Sequence, residues 1–253
     1  MKATMMNTLG LTRSRIAQRH ALITPDSHEM VTLPDWAGAG LVHLVTPQTG
    51  AGFSLFLARA QDALCVSQCG AMHERFVLVR DGQVGIDTQC GRKTLHKDDY
   101  AFLPAGYAHT LSADAGAELL VLERPYVPKA DTPAPAAHFA AIGAVPSAPL
   151  KGDARLQVQK LLPEGPEWDM EINTMTFEPG ASLPYVETHF MEHGLVMLDG
   201  GGIYRLEDDW YPVTAGDTIW MGAYCPQWFG AIGRENARYL IYKNWNRDPL
   251  PRA

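Results

Sequence analysis

Nowhere in its 253 residues does the chain carry a run approaching the roughly 18 apolar residues of a membrane span, so a membrane partner is not expected. The opening stretch MKATMMNTLGLTRSRIAQRH lacks both the apolar segment and the small-residue cleavage site of an export signal, and a cytoplasmic location is expected. Positive charge is also scarce. Lys and Arg number 21 against 28 Asp and Glu, a net charge of -7, and the basic residues are scattered, which argues against a nucleic-acid partner. Four cysteines, Cys65, Cys69, Cys90 and Cys225, show no CxxC spacing; buried free thiols in a reducing compartment are expected.

Amphipathic helical periodicity is largely missing too. What is present is a series of short runs rich in Val, Ile, Leu, Tyr and Phe, bounded by Gly, Pro, Asp or Asn: FVLVRDG, GQVGID, AELLVLERP, HGLVMLDG, GGIYRLED, DTIWMG and ARYLIYKN. Many short strands with turns between them predict an all-β barrel or sandwich. Residues 127–149, VPKADTPAPAAHFAAIGAVPSAP, are rich in Pro and Ala and read as an extended linker between two domains, 1–126 and 150–253.

A repeat supports the division. Gly82, Pro104 and His109 align with Gly200, Gly222 and Gln227 at a constant offset of 118, without a gap. Two copies of one β-domain account for this.

The segment ETHFMEHGLVMLDG, residues 187–200, poses the functional question, because His189-x-x-Glu192-His193 matches the inverted zinc-peptidase signature if it is helical. Pro184 before it, Gly194 after it and the β-type continuation favour a strand instead. On a strand, Glu187, His189 and His193 share one face and Glu192 points to the outer face. The chemistry then moves from Glu192 to Glu187.

Gly180, Glu187-Thr-His189, His193 and Gly200, followed by Gly216, Gly222 and Gln227, keep the spacing of the two motifs of the cupin superfamily, which the chain resembles. Three ligand identities differ from the common pattern: Glu187 replaces the first His, His193 the usual Glu, and Gln227 the last His. One carboxylate, two imidazoles and one amide oxygen still make a sound divalent-ion site, suited to Mn²⁺, Fe²⁺ or a similar ion. In the first half the corresponding positions are Cys69, Ala71 and Arg75, leaving only His109, so that copy is expected to be degenerate and to hold no metal. His73 and Glu74 fall off the motif's register and read as polar or structural residues.

The Glu-x-His-x3-His plus Gln set, with GGIYRLEDDWYPVTAGDTIWMGAYCPQWF and ARYLIYKNWNRDPL, resembles the bicupin (S)-ureidoglycine aminohydrolases, closest over residues 180–250. The resemblance implies two tandem jelly-roll cupin domains, Mn²⁺ on Glu187, His189, His193 and Gln227, a homo-oligomer, and hydrolysis of (S)-ureidoglycine to (S)-ureidoglycolate and ammonia in purine catabolism. It implies substrate contacts at Tyr204, Tyr239 and Lys243. Glu187, both ligand and carboxylate, is the group expected to exchange protons, and a lysine inside a barrel calls for an anion, which the substrate carboxylate would provide. Strand parity independently puts Tyr239 and Lys243 on one face. Trp220, Trp228 and Phe229 are expected as pocket walls or as core. A metal-dependent dioxygenase or isomerase acting on a small acid, and a non-catalytic ligand-binding bicupin, are the alternatives.

Overall fold

The computed structural model describes residues 10–250 as an almost entirely β protein, with strands joined by tight turns and four single-turn 3-10 helices among the described residues. No helix there is long and apolar enough to cross a membrane. The first half pairs a six-stranded sheet, ordered His138–Ala141, Asp99–Leu103, His73–Asp81, Glu118–Pro125, Ser54–Ala60, Ala39–Val45, with a four-stranded one, Leu64–Ser67, His109–Ala113, Gln83–Thr88, Gly91–His96. The second half repeats the plan. Its larger sheet runs Arg15–Ile16, His20–Ile23, Thr218–Met221, His193–Asp199, Ala237–Asn244, Met170–Phe177, Asp153–Lys160, Ser147–Leu150, and its smaller one Asp209–Thr214, Gly201–Leu206, Gln227–Ala231.

The larger sheets of the two halves pack back to back, which explains why their strands read as continuous apolar runs. Within His193–Asp199, Leu195 and Met197 face the second half's own core while Val196 and Leu198 face the seam between the halves. The strand His73–Asp81 does the same, with Val77 and Val79 inward and Phe76 and Leu78 at the seam. Gly194 allows the closest approach, since a Cβ there would lie 2.6 Å from the Phe53 ring. Gly200 has φ 64 in a turn where a side chain would strike the Asn236 carbonyl, so the repeat's anchor glycine has a steric cause.

Both termini of the repeat are exchanged. The N-terminal segment crosses to the second half, where His20–Ile23 pairs with Thr218–Met221. Arg13 grips the fully buried Asp217 through two hydrogen bonds of 2.8 and 2.6 Å, and buried His20 meets Glu207 and Tyr211 at 3.0 and 2.9 Å. Conversely, His138–Ala141, within the Pro- and Ala-rich segment, extends the first half's larger sheet by pairing with Asp99–Leu103.

Candidate active site

The four candidate ligands come from three pieces of chain at the open end of the second barrel. Residues 181–187 run along the free edge of Gln227–Ala231 through isolated bridges Ser182 to Gly230 and Glu187 to Gln227. The Glu187 and Gln227 backbones exchange hydrogen bonds of 2.8 and 2.9 Å, and the Trp228 indole N–H donates to the Leu183 carbonyl at 2.7 Å. The chain then crosses the mouth irregularly and enters its strand only at His193. The expected strand therefore begins later than periodicity suggests. There is no helix here, so the peptidase reading falls, and His189 is held by its carbonyl accepting from Tyr224 N at 2.7 Å rather than by a ladder.

His189, His193 and Gln227 converge. Gln227 Nε2 lies 3.1 Å from His189 Nε2, Gln227 Oε1 lies 3.2 Å from His193 Nδ1, and the imidazole rings meet edge to face at 4.8 Å. His193 and Gln227 are buried. Burial, followed by the charge of His189, pushes His193 down to about 3, and burial likewise lowers His189; both rings are neutral lone-pair donors at neutral pH. His189 Nδ1 is buried without a hydrogen-bond partner among the described residues.

The 3.2 Å between Gln227 Oε1 and His193 Nδ1 separates two lone-pair donors and suits a cation, whereas the amide Nε2, also 3.0 Å from His193 Nδ1, has no free lone pair to give. Two donors at right angles about 2.1 Å from one ion are about 3.0 Å apart. No three His, Cys, Asp or Glu side chains among the described residues already stand close enough to hold one. Glu187 is turned aside, its Oε1 accepting from Lys151 Nζ at 2.5 Å. With its backbone locked beside Gln227, Glu187 is the natural fourth donor, and the residues fit a divalent ion of the mixed O/N class.

Behind the candidate ligands, Tyr204 and Tyr239 are fully buried. Burial, and then the Glu187 carboxylate for Tyr204 and both Tyr204 and Glu187 for Tyr239, raises their hydroxyls far above the usual range, so both stay protonated. Lys243 lies directly opposite His193 across the ladder. Its anionic partner is already in the protein: Glu171 Oε1 stands 2.7 Å from its Nζ and also accepts from Asn173 at 2.5 Å. The anionic partner that the sequence reading sought for Lys243 in the substrate carboxylate is supplied within the protein by Glu171.

A cupin domain family matches residues 173–242. The (S)-ureidoglycine aminohydrolase of Arabidopsis thaliana is 40% identical over 245 residues, spanning 95% of this chain and 80% of that protein. The protein of the same name from Escherichia coli is 32% identical over 233 residues, 90% of this chain and 89% of that one. This chain belongs to the (S)-ureidoglycine aminohydrolase family. The crystal structure of Ylba from E. coli superposes with a TM-score of 0.84 at 27% identity, covering 96% of this chain and 98% of that one. Oxalate decarboxylase, at TM-score 0.68 and 10% identity over 90% and 77% of the two chains, shares the fold.

In this family member the first half has a guanidinium where the second has the candidate ligand His193. Arg75, 2% exposed, donates to Glu123 at 2.6 Å and to the Ser67 carbonyl at 3.0 Å, and its Nη1 lies 3.0 Å from His109 Nε2. Burial drives His109 down to about 4. His73 is exposed, whereas Glu74 is buried at the seam with Arg124 and Asp169, where burial and then the Asp169 charge raise its carboxyl to about 9.

Other expectations need correction. Cys65 and Cys90 are exposed, Cys69 is half-buried and only Cys225 is buried, though all four are free. Glu192 is no outer-face bystander: it accepts from Gly52 N at 3.1 Å and from the Trp220 indole at 3.4 Å, so both residues belong to the seam between the halves. Phe229 is core, packed against Phe177, Tyr204 and Tyr239. Lys151, Tyr185 and Glu171 belong to no motif that would mark them in the sequence, and nothing local ties Glu171 to a strand seventy residues downstream.

Proposed function

We propose that the chain hydrolyses (S)-ureidoglycine to (S)-ureidoglycolate and ammonia, using Mn²⁺ on Glu187, His189, His193 and Gln227. The observation that carries this reading is the convergence of two neutral imidazoles and one amide beside the pinned Glu187 backbone, in a chain of this family. The bound ion supplies Lewis acidity and a fixed anchor for the substrate's donor atoms.

The protein's own groups do the rest. Tyr204 and Tyr239, kept protonated by burial, offer O–H donors to the ureido carbonyl or carboxylate. Lys243, held by Glu171, contributes an oriented N–H donor on the same side. Glu187 receives the proton of the attacking water and returns it to the departing nitrogen as the C–N bond breaks and the C–O bond forms. Fixing the tetrahedral carbon among these groups presents one face to water, which accounts for a single product enantiomer.

A homo-oligomer, as the family resemblance implies, is part of the proposal. The test follows ammonia release from (S)-ureidoglycine generated in situ, with Mn²⁺ loaded and product chirality read by chiral chromatography. Release well above the spontaneous rate with one enantiomer formed supports the reading; release at the spontaneous rate with a racemic product rejects it.

A further inference from the structure

We infer that Lys151 is the cation that receives the substrate's carboxylate, delivered by a hairpin turn that covers the mouth of the second barrel. The inference rests on the aminohydrolase reading for the location of the reacting site and extends it to a residue outside the barrel wall.

Lys151 and Gly152 form the turn between Ser147–Leu150 and Asp153–Lys160, the hairpin at the outer edge of the eight-stranded sheet. Both have positive φ, 50 and 85. Positive φ at both central residues is what a two-residue hairpin loop requires, and the turn aims the Lys151 side chain at the candidate site. Lys151 Nζ lies 2.5 Å from Glu187 Oε1, 2.6 Å from the Tyr185 hydroxyl and 3.9 Å from the Tyr185 ring centroid.

The two lysines at this site differ in what happens to their charge. Lys243 is balanced by Glu171, a half-buried pair in which neither residue is a candidate metal ligand, so it persists whatever the site binds. Lys151 is balanced only by Glu187 among its described contacts, and Glu187 is the carboxylate a divalent ion would claim. Loading the site therefore releases an ammonium at the mouth, beside the Tyr185 hydroxyl, with no protein anion opposite it. A small acid entering from solvent brings the missing carboxylate. The ligand class is thus a compact anionic amide or ureido acid, and recognition of its charge is coupled to the state of Glu187.

The test uses the full chain and two probes, N-carbamoylglycine, which carries the carboxylate, and its neutral amide. Calorimetry on Mn²⁺-loaded wild type, Lys151→Gln and Lys151→Arg measures affinity for each probe. A charge-assisted contact predicts about tenfold or greater loss of the acid in Lys151→Gln, a smaller loss in Lys151→Arg, and no matching loss for the amide. Metal titration of the apo proteins gives a second readout: Lys151→Gln binds Mn²⁺ more tightly than wild type, because the competitor for Glu187 is gone. Unchanged acid affinity in Lys151→Gln, equal weakening of acid and amide, or wild type that fails to prefer the acid overturns the inference. Lys151-dependent acid binding by a wild type that releases no ammonia from ureidoglycine would reject the aminohydrolase reading and leave this one standing.

Discussion

Arg75 and His193 occupy the same position in the two halves, each the inward-facing residue at the open end of its strand, and each faces the residue at the repeat's fourth ligand position. Arg75 Nη1 stands 3.0 Å from His109, and His193 Nδ1 stands 3.2 Å from Gln227. Opposite each lies an ionisable residue, Glu123 for Arg75 and Lys243 for His193, of inverse charge. The first half carries an internal guanidinium where the second half has its candidate ligand His193.

That exchange has a measurable consequence for stability. Arg75→Ala leaves Glu123 and His109 without their buried partner, and removing one member of such a pair costs roughly 2–4 kcal/mol. Urea unfolding should show this loss while the folded variant still binds one Mn²⁺ per chain, because the second half keeps its own ligands.

The exchanged N-terminal segment should matter in the same way. Asp217 is fully buried and its carboxylate is satisfied by Arg13 and by Thr214 N at 2.9 Å. Arg13→Ala strands part of that charge, and the expected destabilisation is about 1–3 kcal/mol, read as a lower urea midpoint.

Glu74 gives a pH signature. Its folded-state carboxyl is raised by burial to about 9, against an ordinary value of 4.5. Its contribution to stability is therefore fully present below the ordinary carboxylate range and is lost as pH rises from there toward 9, since the unfolded chain releases the proton first. Glu74→Gln should flatten the fall in stability between pH 5 and 9, followed by thermal unfolding across that range.

Much of this was legible in the sequence because it follows from period-2 alternation and a gap-free repeat. The gap-free repeat sets His193 and Gln227 against Arg75 and His109 of the first half, whereas Glu187 and His189 lie in irregular chain before the strand, where alternation does not apply. Contacts between residues distant in the chain were not legible. Lys243 and Glu171 meet because Met170–Phe177 pairs with Ala237–Asn244 in one particular register, and Lys151 reaches Glu187 from a hairpin edge. Glu192, just before its strand, meets Gly52 and Trp220, and only the back-to-back packing of two large sheets makes that side a buried seam.

His193→Ala should separate the roles of the ligands from those of the pocket. Removing the buried imidazole leaves Gln227 and His189 with an incomplete donor set, and Mn²⁺ stoichiometry by elemental analysis should fall well below one per chain. The metal-dependent rise in melting temperature should vanish with it, as mass action requires for a ligand that no longer binds the folded state.

The most direct measurement compares initial rates of ammonia release from (S)-ureidoglycine for wild type and Glu187→Gln at matched Mn²⁺ occupancy. Glutamine keeps a donor oxygen at the site and removes the proton-exchanging carboxylate. A wild-type rate far above the spontaneous one, falling by about 10²–10⁴ in Glu187→Gln with the metal retained, is the expected result. A metal-loaded Glu187→Gln protein that releases ammonia as fast as wild type would contradict the role given to Glu187.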